Sequence, residues 1–240
     1  MLRSDTFGTV ARVIRAIIFD FNGVIADDET PHIACFQKAL AEAGLGLTSE
    51  EYYDRYGGMD ERTCTRMLLQ KRDGSWNEAE VCRIAERKAE LFRVHTALHK
   101  PSLFPGIIEF VQIAKSRYRI AIASGGRRAQ IDAALSGTRI ASVFDVIVAA
   151  EDCSIGKPDP AMYLLALKRL NGRVDSGCDI TPPECLVLED SVAGIRSAKQ
   201  AGMRVLAVAT TYPIDKLREA DEVLSTLEGI TPEAAIDRLP

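Results

Sequence analysis

The sequence alternates short aliphatic and β-branched runs with segments of helical spacing, and this alternation limits the fold more than any other feature. The runs predict strands at 15–19, 119–123, 143–149, 185–188, 205–208 and, more weakly, 222–224. Strands that alternate with helices are typical of a parallel sheet covered by helices. We therefore predict an α/β fold with a doubly wound, Rossmann-like parallel sheet.

A long gap separates the first two predicted strands. Residues 20–118 contain no convincing strand pattern, and residues 30–100 show the spacing of consecutive helices. The segment KPSLFPG, with two prolines and a glycine, then indicates a return to the sheet. We predict a discontinuous Rossmann-like core made of residues 1–29 and 101–240, with an α-helical cap domain, residues 30–100, inserted into it.

The composition narrows the choice of partners and location. A net charge of −4 does not favour binding to nucleic acid. The six cysteines include no C-x-x-C pair, so we expect neither a zinc site nor a disulfide framework. No apolar run has the length of a signal peptide or a transmembrane helix. We expect a soluble cytoplasmic protein, a monomer or small homo-oligomer, that binds neither nucleic acid nor membranes.

Polar residues follow four of the predicted strands directly. The segments are DFNG at 20–23, SGG at 124–126, EDCSIGKPDP at 151–160 and LEDS at 188–191. Ligands of open parallel sheets bind beyond the carboxyl ends of the strands, so these segments are expected to form one site.

Each segment also has a purely structural interpretation. Asn22-Gly23 between apolar residues is a strong hairpin signal. Lys157 could be a solvated lysine ahead of a helix, and Asp190 could complement a helix dipole. We favour a shared site because such coincidences at successive strand ends are improbable.

The four segments, in this order and with helices between the first and second, resemble the four motifs of the haloacid dehalogenase superfamily. The resemblance is to its capped phosphatase and β-phosphoglucomutase-like branch, and it covers the chain from about Arg15 onward. It implies a Mg²⁺-dependent hydrolase, a phosphatase of a small phosphorylated metabolite such as a sugar phosphate, acting through an aspartyl-phosphate. The alternatives are a phosphohexomutase and a non-catalytic phosphometabolite-binding module. Dehalogenation is disfavoured because that branch lacks the metal-type LEDS pattern.

The resemblance also implies roles for individual residues. Asp20 would be the nucleophile, and Mg²⁺ would be held by Asp20, the main-chain carbonyl of Asn22 and Asp190, with Glu189 beside them. The catalytic residues would be Asp20, Asn22, Ser124 and Lys157. The phosphoryl group would be bound by Asp20, Phe21, Asn22, Ser124, Gly125 and Lys157.

Asn22 departs from the family pattern, which has aspartate at this position to protonate the leaving oxygen and later activate water. An amide has no proton to exchange near neutral pH. Three explanations are open: an engineered trap, a natural member with weak or altered activity, or partial deamidation of the Asn-Gly sequence.

Four further residues are candidates for substrate contacts: His32, Arg62, Lys88 and Arg127. His32 occupies the position where many relatives carry a histidine entering the cap. Arg62, or alternatively Arg55, could meet a second phosphate or sugar hydroxyls. For each of these side chains, a solvated surface role is the alternative.

Overall fold

A computed structural model of the chain describes residues 13–172 and 178–240. The strands are β1 (Ala16–Phe19), β2 (Ala26–Asp27), β3 (Ser102–Leu103), β4 (Arg119–Ala123), β5 (Val146–Val148), β6 (Cys185–Glu189), β7 (Arg204–Val208) and β8 (Glu222–Leu224). Six of them form one parallel sheet in the order β5-β4-β1-β6-β7-β8. The predicted α/β fold with a Rossmann-like parallel sheet is confirmed, and β1 lies inside the sheet between β4 and β6.

Helices cover both faces of this sheet. The helices are α1 (Glu29–Ala41), α2 (Ser49–Arg55), α3 (Glu61–Asp73), α4 (Glu78–Leu98), α5 (Ile107–Arg117), α6 (Arg128–Leu135), α7 (Ala161–Asn171), α8 (Val192–Gln200) and α9 (Pro232–Ile236). Successive strand residues point to opposite faces. Ile17 and Phe19 pack with α5, α6 and α9, whereas Ala16 and Ile18 pack with α7 and α8.

Helices α1–α4 form a segment of their own between β2 and β3. Residues of α1, α3 and α4, among them Phe36, Leu68 and Ile84, form a hydrophobic cluster separate from the two clusters on the sheet. The chain leaves and re-enters the core through β2 and β3, which pair antiparallel. The division into domains at 30 and 100 stays a prediction. Residues 1–12 and 173–177, which that core prediction includes, lie outside the described residues.

The strand predictions differ from the structure in a few places. The strand predicted at 143–149 is only Val146–Val148. At Asp145 the amide still donates to the Ile120 carbonyl at 2.9 Å, but the Ile120 amide donates to the Asp145 carboxylate at 2.9 Å instead of to a strand carbonyl. At the other end, the Ala149 amide donates to the Asp152 side chain at 2.9 Å. The two-residue strands β2 and β3 were not expected, since two residues give no readable alternation.

The Asn-Gly sequence forms a tight turn but not a regular hairpin. Gly23 has a φ of 80°, and the amides of Ile25 and Ala26 both donate to the Phe21 carbonyl. Both edges of β1 are already paired, so the chain beyond the turn pairs with β3 instead. The hairpin interpretation of Asn22-Gly23 therefore holds for the turn but not for the pairing of the strands. In the parts of the chain that the structure describes, no helix has both the length and the apolar character needed to cross a membrane.

Candidate active site

The floor of the site lies at the carboxyl ends of β1, β4 and β6. Asp20 follows β1, Ser124 follows β4, and Asp190 follows β6. Lys157 reaches the same point from the loop after β5, and its Nζ donates to Asp20 Oδ1 and to Glu189 Oε1, both at 2.6 Å. Only 4% of Lys157 is exposed. The sheet thus brings the four predicted segments together, as parallel topology requires.

Glu189 is held on all sides by donors. Oε1 also accepts from the Tyr163 hydroxyl at 2.7 Å, and Oε2 accepts from the amides of Asp190 and Ser191 and from the Ser191 hydroxyl at 2.9–3.0 Å. Burial would raise the pKa of Glu189, but Lys157 and these donors outweigh it and leave the pKa below its usual value. Glu189 is therefore a fixed anion that positions Lys157.

The floor carries more negative than positive charge. Asp20, Glu189 and Asp190 each offer a carboxylate oxygen, and these oxygens lie within 4.8 Å of one another. Burial raises the pKa of Asp20 to about 7 despite the charge of Lys157. Burial, reinforced by Glu189 and Asp20, raises the pKa of Asp190 well above its usual range. Oxygen donors with excess negative charge are what a hard divalent cation such as Mg²⁺ prefers. Because the Glu189 oxygens are occupied by donors, Asp20 and Asp190 are the carboxylates suited to hold it.

Gly23 determines how close Asp190 can come to the turn after β1. A Cβ added at Gly23 would lie 1.9 Å from Asp190 Oδ2 and 2.8 Å from the Thr211 hydroxyl. The Thr211 side chain also hydrogen-bonds to the Asp190 carboxylate. The turn therefore needs glycine for two reasons, the positive φ and the approach of this carboxylate.

Asn22 is held by a network that the sequence did not indicate. Its Nδ2 donates to Asp28 Oδ1 at 2.9 Å and lies 3.1 Å from His32 Nε2, and its Oδ1 accepts from the Ser124 hydroxyl at 3.3 Å. Asp28 is 2% exposed, and its Oδ2 lies 3.4 Å from His32 Nε2. His32 Nδ1 contacts Lys88 Nζ. The arrangement with most hydrogen bonds satisfied has His32 accepting from Lys88 at Nδ1 and donating from Nε2 toward Asp28.

A small cavity of about 80 Å³ lies between this floor and helices α1–α4. Of the predicted site residues, those that line it are Asp20, Asn22, Gly125, Lys157, Asp190, His32 and Lys88. The helices add Glu29, Tyr52, Asp60 and Glu61 to the lining. Lys88 is 1% exposed, and its ammonium contacts Glu61 Oε1 and lies 5.0 Å from the centre of the Phe92 ring.

The other predicted residues lie outside this cavity. Phe21 is buried in the core cluster on one face of the sheet. Arg62 and Arg127 line an adjoining cavity of about 620 Å³, and Arg55 lines another of about 490 Å³. Ser124 does not line the cavity, but its hydroxyl donates to Oδ1 of Asn22, which does. The same hydroxyl accepts from the Gly126 amide at 3.0 Å.

Sequence reasoning missed several residues around the cavity. Asp28 was missed, although its i, i+4 spacing to the predicted His32 at the start of α1 could have signalled a contact between the two. Glu61 follows the helix cap Asp60 directly, and nothing in the sequence showed that its side chain faces the site. Tyr163 gave no signal, because an aromatic residue in α7 is expected to pack against the sheet.

Fold and site together define an α/β enzyme whose acidic residues and buried lysine meet at the ends of the sheet strands. The profile of the haloacid dehalogenase-like hydrolase family matches residues 17–208, and the chain belongs to this family.

Its sequence is similar to curated relatives over most of its length. It is 31% identical over 238 residues to protein CbbY of Rhodobacter capsulatus, covering 95% of this chain and 99% of that protein. It is 31% identical over 194 residues to a phosphorylated carbohydrates phosphatase of Thermotoga maritima, covering 79% of this chain and 82% of that protein.

Solved structures share the fold. A β-phosphoglucomutase from Clostridium difficile superposes with a TM-score of 0.80 at 24% identity, covering 94% of this chain and 97% of that one. A mutant of CbbY from Rhodobacter sphaeroides, in complex with xylulose-1,5-bisphosphate, superposes with a TM-score of 0.77 at 28% identity, covering 93% and 99%.

Proposed function

We propose that the protein is a Mg²⁺-dependent phosphatase that hydrolyses a small phosphorylated metabolite, such as a sugar phosphate, through an aspartyl-phosphate on Asp20. The observation that carries this proposal is the placement of Asp20 against buried Lys157, at the floor of a cavity that Asp190 also lines. The names of relatives support the substrate class, since one is a phosphatase of phosphorylated carbohydrates and another binds a sugar bisphosphate.

Asp20 performs the first chemical step. A carboxylate oxygen of Asp20 forms a bond to phosphorus while the bond from phosphorus to the substrate oxygen breaks, and that oxygen takes up a proton. Water then attacks the aspartyl-phosphate, releases inorganic phosphate and restores Asp20. Lys157 offsets charge between the nucleophile and the phosphoryl oxygens, and Glu189 keeps Lys157 in place.

Bound Mg²⁺ would neutralise further charge on the phosphoryl group, held by Asp20, Asp190 and the main-chain carbonyl of Asn22. Ser124 and Gly125 would bind the phosphoryl oxygens at the end of β4. We further propose that helices α1–α4 serve as the cap over this site, because they supply the wall opposite Asp20.

The step that the residues of this site serve least well is proton transfer to the leaving oxygen. Asn22 cannot protonate the leaving oxygen, and loss of such assistance typically costs about 100- to 10,000-fold in rate. Two groups able to carry a proton touch its side chain, Asp28 and His32, and only His32 lines the cavity. We infer an activity reduced by Asn22, with His32 as the candidate substitute.

The deciding experiment is turnover of a panel of sugar phosphates with Mg²⁺, followed by both free phosphate and isomeric sugar phosphate. Free phosphate supports a phosphatase, an isomeric product supports a mutase, and binding without either product supports a binding module. Asp20→Ala should abolish turnover of every substrate, aryl phosphates included. Turnover by folded Asp20→Ala close to the parent level would remove Asp20 from its role.

A further inference from the structure

The wall of the active-site cavity that faces Asp20 carries an unusual balance of charge. Helices α1–α4, with the turns between them, contribute three carboxylates to the lining, Glu29, Asp60 and Glu61. Among the lining residues that the structure describes on this wall, Lys88 is the one lysine or arginine. A substrate bound through its phosphoryl group at Asp20 would point its far end toward this wall.

The ammonium of Lys88 already has partners within the protein. It contacts Glu61 Oε1 and His32 Nδ1, and it lies beside the Phe92 ring with 1% of the residue exposed. Glu61 and His32 engage two of the three N–H donors of this ammonium, so a second phosphate that approached it would lie beside the Glu61 carboxylate. Like charges brought together in this way oppose binding.

The other two carboxylates of this wall hydrogen-bond to neutral amides and hydroxyls. Asp60 accepts hydrogen bonds from the amides of Arg62 and Thr63 and from the Thr63 hydroxyl at 2.6–3.1 Å. Glu29 accepts from the Tyr52 hydroxyl. Both can still accept hydrogen bonds on their remaining lone pairs, which suits hydroxyl or ammonium donors on a ligand.

The arginines that could bind a distal anion lie elsewhere. Arg62 and Arg127 line the adjoining cavity of about 620 Å³, which shares only Asp60, Glu61 and Gly125 with the active-site cavity. Arg62 is exposed and stands next to Glu61 in α3, on a different side of the helix.

From these contacts we propose that the site selects monophosphates whose distal part is hydroxylated or carries an amine, and that it discriminates against bisphosphates. This inference rests on the proposed phosphatase function and specifies its substrate class. The proposed preference for monophosphates would distinguish this chain from the CbbY mutant whose structure contains xylulose-1,5-bisphosphate.

The test compares glucose 6-phosphate, glucosamine 6-phosphate and glucose 1,6-bisphosphate at the same free Mg²⁺ concentration. The expected kcat/KM for either monophosphate exceeds that for the bisphosphate by at least about tenfold. Glu61→Gln, which frees Lys88, should narrow this ratio at least about fivefold by lowering the bisphosphate KM. Glu86→Gln is the matched control, since it removes the same charge from the adjoining cavity and should leave the ratio unchanged.

Thermal shift with the same ligands measures the preference independently of turnover. If no substrate is turned over but monophosphates still stabilise the protein more than the bisphosphate, the phosphatase proposal fails and the charge preference stands. If the bisphosphate is bound and turned over as well as the monophosphates, the preference is wrong while the phosphatase proposal holds. The comparison on the parent protein decides the matter even if Glu61→Gln does not fold.

Discussion

At the scale of single residues, the contact between Asn22 and Asp28 determines how an aspartate at position 22 would ionise. Asn22→Asp alone would place two carboxylates where the amide now donates to Asp28 at 2.9 Å. Two carboxylates this close cannot both ionise easily, so one of them would keep a proton. Exchanging the two residues keeps one amide and one carboxylate in contact.

We predict that the double variant Asn22→Asp/Asp28→Asn raises steady-state turnover of a sugar phosphate by at least about 100-fold, the lower end of the range for general acid–base assistance. The gain with p-nitrophenyl phosphate should be smaller, because nitrophenolate leaves without a proton. Steady-state and burst kinetics on both substrates measure this. Intact-mass and peptide analysis must first exclude deamidated parent protein.

The opposite result has a clear meaning. If verified Asn22 protein already turns over its sugar phosphate rapidly and the exchange changes nothing, the proton is handled by another group. His32→Gln in the parent should then reduce sugar phosphate turnover much more than p-nitrophenyl phosphate turnover, which would identify His32 as that group.

Asp190 provides a second prediction at this scale. Asp190→Asn replaces a negatively charged proposed metal ligand with a neutral side chain of the same size. We expect the Mg²⁺ concentration for half-maximal activity to rise at least about tenfold. Ser191→Ala is a suitable control, because it removes the helix cap that donates to Glu189 without removing a proposed ligand. An unchanged Mg²⁺ requirement in Asp190→Asn would reduce Asp190 to a structural role.

At the scale of elements, the first turn of α3 rests on the loop that carries Lys157. A Cβ added at Gly156 would lie 2.0 Å from Asp60 Oδ2, so Gly156→Ala must displace the Asp60 side chain, which caps α3 through the amides of Arg62 and Thr63. We predict a loss in kcat/KM of up to about 100-fold, because small displacements of positioning groups are that costly. Gly46→Ala, whose Cβ would meet nothing within 4 Å, is the control and should be near the parent. Equal kinetics for both variants would show that α3 does not position the site.

The elements also show how far sequence can predict this site. The floor segments could be located because parallel strands place their carboxyl ends on one edge, whatever the details of packing. The helical wall could not. Arg62 was the candidate, yet its neighbour Glu61 lines the cavity, and one residue along a helix changes the facing direction by about 100°. Only the packing of α3 on α4 decides between them.

The same limit applies to Lys88 and Arg87, which are adjacent on α4. Lys88 is buried against Glu61, whereas Arg87 is exposed and pairs with Glu42 at 2.7 Å. The sequence offered no reason to separate these two cations. The contact between Asn22 and Asp28 could not be predicted either. It depends on the path of the chain after the turn, and the hairpin signal indicated a different strand pairing.

At the scale of the whole molecule, the shifted pKa values of the buried acids couple stability to pH and, through the proposed Mg²⁺ site, would couple it to that ion. The pKa of Asp20 rises from 3.8 in its ordinary state to about 7 in the folded protein, chiefly through burial, and that of Asp190 rises too. The folded state therefore holds protons more tightly than the unfolded one. The resulting stability is fully present below about pH 4 and is lost as the pH rises through about 7. Glu189 has a lowered pKa, so its contribution to stability is lost as the pH falls, and this happens only at more acid pH.

We predict that in EDTA the melting temperature falls between about pH 5 and 7.5 because of these two groups, and that Mg²⁺ offsets the fall by replacing the protons. The gain in melting temperature from Mg²⁺ should thus be larger at pH 7.5 than at pH 5. Differential scanning calorimetry across this range measures both curves. A gain from Mg²⁺ that is the same at both pH values would contradict the assignment of the ion to this floor.

The active-site cavity is small for the ligand proposed to bind in it. Pockets that hold small molecules usually measure about 300–1,000 Å³, and this one measures about 80 Å³. If a sugar phosphate binds here as proposed, α1–α4 would have to move away from the sheet to admit it and to release its products. Turnover would then be limited by this movement, about the paired connections β2 and β3, whenever the chemistry proposed for Asp20 is faster. The same closure would exclude bulk water from the proposed aspartyl-phosphate and so lengthen the life of that intermediate.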